Sequence, residues 1–149
     1  MIQRMQSLYW LLAAAATIAA CFLPYASLYP APTEVHLTPM GISGGEGANQ
    51  GTLPVLFLLA VAAVAQVVAI FLYKKRPWQL RLSIWAIVVL VGTVGVEVCY
   101  AFATGIRLEI NWHIQFAMAL PLIGAVLTYL ALHAVRRDQA YLRRMSRLR

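Results

Sequence analysis

The chain alternates between four long apolar segments and short polar connections. Each apolar segment is about as long as the roughly 20 residues that an α-helix needs to cross the ~30 Å hydrocarbon core of a bilayer. Because that core offers no water to backbone N–H and C=O groups, helices are the expected form. The pattern predicts an all-α, four-helix membrane bundle that forms one domain over residues 1–149, with spans at about 7–28, 52–73, 82–104 and 114–135.

The connections differ in basic charge. Lys and Arg are absent from 30–51, number four in 74–81, one in 105–113, and six from residue 136 to the end. With Arg4 added, eleven basic residues would lie on one side of the membrane and one on the other. Since cytoplasmic loops are enriched in Lys and Arg, both termini are predicted to be cytoplasmic.

Composition favours a membrane protein over a soluble one. Hydrophobic residues make up 62% of the chain and charged residues 11%, against about 25% charged residues in soluble domains. The basic cytoplasmic tail over 136–149 is expected to bind anionic phospholipids or an acidic partner. Its arginines are Arg136, Arg137, Arg143, Arg144, Arg147 and Arg149. Nucleic acid is not an expected partner, because the tail lacks regular aromatic interleaving and the signature of a nucleic-acid-binding fold.

The first segment has a second interpretation. Its IAAC sequence (18–21) resembles a bacterial lipoprotein cleavage site, and cleavage there would leave Cys21 at the N-terminus and three helices. The apolar run continues through Tyr25, which favours a span. Cys21 and Cys99 fit neither a CxxC pair nor the spacing of zinc ligands. Two buried thiols are therefore expected, with no metal and no cofactor.

Two short sequences in the outer loops alternate as strands do. TEVHLT (33–38) and IRLEINW (106–112) would emerge on the same face of the membrane. They predict a short β pairing between the two periplasmic loops, with two irregular loops as the alternative. Paired loops would bring four polar side chains together as a candidate outer site: Glu34, His36, Glu109 and His113.

The two ends of the chain carry a family resemblance. The opening MIQRMQSLYWLLAA and the ending ALHAVRRDQAYLRRMSRLR resemble those of small inner-membrane proteins from Bacteroidota, grouped as domain-of-unknown-function family 4293. Acidic residues usual in that family's tail are partly replaced here by Gln139, Arg143 and Met145. The resemblance implies a multi-pass, four-helix protein of the bacterial inner membrane, and it supplies no activity and no catalytic residues.

Glu97 is the one acidic residue inside the predicted spans. A lipid-facing ionised carboxylate at such depth costs at least ~2.5 kcal/mol, so Glu97 is expected to face the bundle, to be protonated, or to have a partner. One interpretation is a proton- or cation-coupled site. The other, which we favour, is a hydrogen-bonded packing residue. In that case a protonated Glu97 would donate to the Ala117 carbonyl that Pro121 frees within the fourth helix.

Gln66 and Tyr129 complete the candidate intramembrane polar site. They lie nearer the cytoplasmic side than Glu97, and they are expected to contact each other if both face inward. Small residues along the spans, including Gly92 and Gly95, predict close helix packing, by default within the bundle and otherwise with a partner.

Three functional hypotheses follow. The leading one is a non-enzymatic inner-membrane protein: a structural, scaffold or accessory subunit that contacts the lipid bilayer and other membrane subunits or further copies of itself. The alternative is a small ion- or proton-coupled transporter in which Glu97 titrates. A third is a membrane enzyme that uses the candidate outer site with a bound metal. The sequence contains no phosphate-binding loop, nucleophile elbow or HExxH motif, so no catalytic residue is assigned.

Overall fold

The computed structural model describes residues 2–28, 35–43, 51–72, 75–108 and 112–146. Within those ranges the chain forms helices and a small sheet. The helices are α1 (Ile2–Phe22), α2 (Leu53–Phe71), α3 (Arg76–Leu108) and α4 (Leu120–Ser146), with a 3-10 turn at Phe116–Ala119. The strands are β1 (Ala26–Leu28), β2 (Val35–Thr38), β3 (Gly41–Ser43) and β4 (Trp112–Ile114).

The four helices pack in a ring. Helix α1 contacts α2 and α4, and α3 contacts the same two neighbours from the other side. The mostly helical fold class is confirmed. Three helices are long and apolar enough to cross a membrane, over Leu53–Phe71, Pro77–Ile106 and Phe116–Asp138, while the apolar part of α1, Ser7–Phe22, is shorter.

The first predicted span, 7–28, is wrong at its C-terminal end. Helix α1 stops at Phe22, where the last helical bond runs from the Leu23 N–H to the Ala19 carbonyl. Pro24 follows, and it has no N–H with which to continue the helix. The next N–H, that of Tyr25, bonds instead to the Leu37 carbonyl at 2.9 Å, which starts the sheet.

Helix α3 begins earlier than the predicted start of the third span at residue 82. It has 33 residues and takes in most of the basic connection 74–81. Pro77 suits this start, because proline costs no hydrogen bond in the first turn of a helix. The Lys75 carbonyl accepts the N–H groups of Trp78 and Gln79, which closes the first turn. The backbone of α4 likewise continues through the basic tail to Ser146.

The four-stranded antiparallel sheet has the order β3-β2-β1-β4. The predicted direct pairing of the two outer loops is wrong, because β1 lies between β2 and β4. Ser27 stands opposite His36 on one side and His113 on the other. Strand β1 was hidden in the apolar run that follows the first helix, and it pairs on both sides because the helix no longer satisfies its backbone groups.

Many large apolar side chains are exposed on the outside of the bundle, whereas the interior combines small, polar and some large apolar side chains. Phe57, Phe71, Trp85 and Phe116 are each more than 65% exposed. So broad an apolar surface is too large for a monomer in water and suits a lipid environment. The inward face of α3 repeats at intervals of three and four residues. It consists of Gln79, Ser83, Ala86, Leu90, Thr93, Glu97, Ala101 and Thr104.

Candidate functional site

Glu97 lies on the inward face of α3, and only 1% of its surface is exposed. Its Oε2 atom has no hydrogen-bond partner among the described residues. One turn towards the sheet, Ala101 packs in a buried cluster with Tyr25 and Met118. The carboxyl group therefore sits below the sheet, inside the bundle, where an unmade hydrogen bond has its full cost.

Tyr25 reaches into the bundle from the sheet. Its backbone is fixed on both sides, since its N–H donates to the Leu37 carbonyl and its carbonyl accepts the Gln115 N–H at 3.1 Å. The side chain is 1% exposed, and its hydroxyl has no partner within the described parts of the chain. Burial raises the pKa of the Tyr25 phenol above its ordinary value, and the nearby Glu97 carboxyl and Tyr100 raise that pKa further. Among the described residues, the Glu97 Oε2 atom and the Tyr25 hydroxyl are thus both buried without a hydrogen-bond partner.

The Ala117 carbonyl, which was expected to accept a hydrogen bond from Glu97, is not left without a backbone partner. Helix α4 begins at Leu120, so Pro121 lies in its first turn, where the missing N–H breaks no helical bond. The Ala117 carbonyl accepts the Leu120 N–H as part of the preceding 3-10 turn. The expectation that Pro121 interrupts the fourth helix is wrong, because the helix starts later than the apolar pattern indicates.

Gln66 bonds to α4 across the centre of the ring. Its Nε2 donates to Thr128 Oγ1 at 3.0 Å, and Thr128 donates to the Gly124 carbonyl at 2.7 Å. Tyr129 is 54% exposed and stacks on His133, with ring centroids 6.4 Å apart. Adjacent helical residues point about 100° apart, so Thr128 takes the inward position that was expected of Tyr129.

Gln66 and Glu97 belong to separate polar sites. The Gly124 position faces Leu90 of α3, which lies two turns from Glu97 towards the start of α3. Because α4 runs antiparallel to α3, Thr128 lies one turn beyond Gly124 in that same direction, away from Glu97. At 1.5 Å per residue, the two sites are on the order of 15 Å apart along the bundle axis. The three residues of the predicted intramembrane site are therefore not together: Glu97 and Gln66 lie at two separate interior positions, and Tyr129 lies on the outside of the bundle.

The interior hydroxyl groups donate to their own helices. Thr17 donates to the Ala13 carbonyl at 2.9 Å, Ser83 to Gln79 at 2.7 Å, and Thr93 to Val89 at 2.8 Å. Each bond spans four residues, which is the usual way for a hydroxyl to be satisfied inside a helix. The protons of these hydroxyl groups are therefore engaged within single helices and do not join one helix to another.

The glycines of α3 face away from the bundle. Gly92 and Gly95 are exposed, and a Cβ at either position would have no neighbour within 4 Å. The default expectation that they pack inside the bundle is wrong. Cys99 is also exposed, which contradicts the expectation of a buried thiol there, whereas Cys21 is buried as expected.

The polar residues of the sheet centre on Ser27, which the sequence analysis missed. Ser27 is fully buried, and its Oγ lies 3.0 Å from His36 Nδ1 and accepts a hydrogen bond from Gln115 Nε2. Since Gln115 donates, the Ser27 hydroxyl proton is free to point at His36. A buried serine cannot meet a substrate, so this network fastens three segments of the sheet. The strand alternation around His36 was a sequence signal for this network. The strand that pairs with it, β1, lay inside the first predicted span, so Ser27 was not recognised as its partner.

The candidate outer metal site is only partly described. Glu34 and Glu109 lie outside the described residues, and His36 and His113 both stand in register with Ser27. In the described ranges, no three His, Cys, Asp or Glu side chains are grouped so that they could hold a metal ion.

The arginines of the tail are described unevenly. Arg136 and Arg137 are exposed on α4. Arg143 and Arg144 lie on its helical backbone, and Arg147 and Arg149 lie outside the described residues. Their binding to anionic lipid or to a partner stays a prediction.

Comparison with known proteins assigns the family. No match is found among curated proteins. A family model described as a domain of unknown function, DUF4293, matches residues 2–148, which is nearly the whole chain. This match confirms the resemblance of the two ends, and the chain belongs to the DUF4293 family.

Proposed function

We propose that the chain is a multi-pass protein of the bacterial inner membrane, in which α1 crosses together with the three longer helices and both termini are cytoplasmic. Helix α1 has 21 residues when its first turns are included, which at 1.5 Å per residue is about 31 Å. The sheet caps one end of the bundle, and eight of the nine basic residues in the described ranges lie towards the other end. The positive-inside rule supports this orientation.

Within that membrane the protein acts as a structural or accessory subunit. The observation that carries this proposal is a row of small residues on the outward face of α3: Gly92, Gly95, Cys99 and Ala103, all exposed. Large apolar side chains make up much of the rest of the outer surface. Small residues let a neighbouring helix approach closely, and in membranes such faces mark helix–helix contacts. The row therefore suits a helix of another subunit or of a second copy.

The interior of the bundle supports a static role. Its hydroxyl groups donate to their own helices, and Gln66 fastens α2 to α4 through Thr128. A carrier has to rearrange its helices around a cargo, and the Gln66–Thr128 bond between α2 and α4 opposes such movement. The exposed Arg136 and Arg137, together with the rest of the tail, would add contacts with anionic phospholipids on the cytoplasmic side.

The test is co-purification from the native membrane. The protein carries a C-terminal tag, is extracted in mild detergent, and its companions are identified by mass spectrometry. We expect a stoichiometric partner, or a second copy, that is lost with Gly95→Leu, because the leucine side chain fills the contact. Ala60→Leu is the matched control, since Ala60 is a small exposed residue on α2. Companions that survive Gly95→Leu, or none in the wild type, would contradict the proposal.

A second candidate function is a small proton- or ion-coupled carrier that uses Glu97. It is favoured by the buried Oε2 atom, which lacks a partner among the described residues and is therefore available to a proton or cation. Purified protein in liposomes with an imposed pH gradient tests this candidate. The carrier predicts a flux that Glu97→Gln abolishes. The subunit proposal predicts no flux, and near-normal folding and growth with Glu97→Gln.

A further inference from the structure

A cavity opens at the turn between α2 and α3. It has a volume of about 400 Å³ and is lined by Phe71, Leu72, Lys75 and Trp78. Three walls are apolar or aromatic, and the fourth is a cation. The cavity lies where two membrane-crossing helices end, on the side of the molecule that carries most of the basic residues.

The turn that carries Lys75 is tied to both helices. The Lys75 N–H donates to the Leu72 carbonyl at 2.9 Å, and its carbonyl accepts the N–H groups of Trp78 and Gln79. The buried Gln79 side chain donates to the Ala69 carbonyl at 2.9 Å, which joins the start of α3 to the end of α2. The backbone of Lys75 is thus fixed relative to the apolar walls.

The surroundings of the cavity favour an anion at a lipid–water boundary. Phe71 is 74% exposed and Trp78 is 60% exposed, and tryptophan is enriched at membrane interfaces. The Arg81 guanidinium carbon lies 5.8 Å from the centroid of the Trp78 ring, which adds a second cation. The sequence from 47 to 96 contains no Asp or Glu, so no acidic residue nearby in the chain neutralises these charges.

We propose that this cavity binds one anionic phospholipid, with the phosphate at Lys75 and the glycerol and upper acyl chain against Phe71, Leu72 and Trp78. The proposal rests on the membrane placement argued above and adds a defined lipid site apart from the tail arginines. Charge complementarity selects an anionic head group. The apolar walls select a lipid over free phosphate, which has nothing to place against Phe71 and Leu72.

Quenching of tryptophan fluorescence by brominated lipids tests the site. The protein is reconstituted in vesicles that contain either brominated phosphatidylglycerol or brominated phosphatidylcholine, with bromine at the same acyl positions and the same mole fraction. The difference between wild type and Trp78→Phe isolates the signal of Trp78. The same difference with Trp85→Phe gives a control, because Trp85 is 68% exposed and lies about 10 Å deeper on α3.

We expect the anionic lipid to quench Trp78 more than the neutral lipid does, and both lipids to quench Trp85 equally. Lys75→Gln should lower the preference at Trp78 about five-fold, since a basic residue near an anionic surface is worth about 1 kcal/mol. Arg107→Gln makes the same charge change near the opposite end of α3 and should leave the preference intact.

Three outcomes would overturn the lipid site while leaving the membrane placement intact. Equal quenching of Trp78 by both lipids in the wild type would remove the selectivity, and a preference that survives Lys75→Gln would place it elsewhere. A preference abolished by millimolar inorganic phosphate would indicate a site for soluble anions. The absence of quenching at both Trp78 and Trp85 by either lipid would instead overturn the membrane placement itself, and the lipid site with it.

Discussion

Gly124 of α4 lies directly against Thr17 of α1. A Cβ at Gly124 would stand 2.9 Å from Thr17 Oγ1 and 3.6 Å from the Ala13 carbonyl oxygen. The threonine cannot turn away without losing the hydrogen bond that it donates to the same Ala13 carbonyl. The contact between the first and last helices therefore depends on the absence of a side chain at one position.

Gly124→Ala should lower the thermal unfolding temperature of the protein in detergent. The added methyl group forces α1 and α4 apart, and overpacking of this kind typically costs about 1–3 kcal/mol. Gly95→Ala is the matched control, because a Cβ there has no neighbour within 4 Å, and it should be neutral or slightly stabilising. Adding Thr17→Ala to Gly124→Ala should recover part of the loss. Equal effects at Gly124 and Gly95 would show that the close contact does not exist.

Tyr25→Phe should be tolerated at neutral pH. The Tyr25 hydroxyl is buried without a partner among the described residues, so removing it abolishes a desolvation cost and no hydrogen bond. We expect an unfolding temperature equal to that of the wild type or higher. Tyr100→Phe is the control for the loss of a hydroxyl at the same level. A marked drop with Tyr25→Phe alone would show that the hydroxyl has a partner in the native protein.

The wild type should also lose stability at alkaline pH in a way that Tyr25→Phe does not. Burial raises the pKa of the phenol in the folded state above its unfolded value. Folding therefore opposes ionisation of this phenol. The free energy of unfolding keeps its full value below the unfolded pKa of about 10 and falls as the pH rises beyond that value. Unfolding temperatures measured from pH 8 to pH 11 should diverge above pH 10. Parallel curves would contradict the burial of this side chain.

The Gln66–Thr128 hydrogen bond predicts an asymmetry between its two partners. Thr128→Val leaves the fully buried Gln66 amide without an acceptor, whereas Gln66→Met leaves Thr128 bonded to the Gly124 carbonyl. Thr128→Val should therefore be the more destabilising change. The coupling from a double-mutant cycle should be about 0.6 kcal/mol, as for other side-chain bonds between membrane helices. Thr93→Val serves as a control with a bond inside its own helix. No coupling between Gln66 and Thr128 would contradict the geometry.

Ser27→Ala should loosen the outer sheet while leaving the helix bundle intact. The serine hydroxyl joins His36 of β2 to Gln115 after β4, and both lose a partner when it is removed. We expect faster hydrogen exchange at the β1–β2 backbone amides, with exchange in α2 and α3 unchanged. Ser83→Ala removes a bond within α3 and should not affect the sheet. Unaltered exchange in β1 and β2 would mean that backbone pairing alone holds the strands.

The helices could be predicted from sequence because their signal is local. The apolar segments that form α2 and most of α3 are each long enough to span, and the backbone bonds of these helices close within four residues. The inward position of Glu97 was also encoded, since Gln79, Ser83, Thr93 and Thr104 recur with it at helical spacing on one face of α3. This inward face of α3 was not predicted, because the apolar residues between these polar positions make their helical spacing hard to recognise in the sequence.

The sheet could not be predicted in the same way, because its partners are distant in sequence. Strand β1 follows Pro24 inside an apolar run, and its apolar Ala26 and Leu28 match a span as well as a buried strand. It becomes a strand because it pairs with two distant strands: Ser27 stands opposite His36, nine positions later, and opposite His113, 86 positions later. The outward direction of Gly92 and Gly95 likewise depends on which face of α3 the other helices cover.

Crosslinking through Cys99 in intact native membranes tests the central claim most directly. Cys99 is exposed within the small-residue row on α3, while Cys21 is buried, so a short thiol-reactive crosslinker reports contacts made at that row. The account predicts one discrete crosslinked product, to a second copy or to another membrane subunit, that disappears with Cys99→Ser and weakens with Gly95→Leu. Exclusively monomeric protein after complete reaction of Cys99 would contradict it, because the row would then face lipid alone.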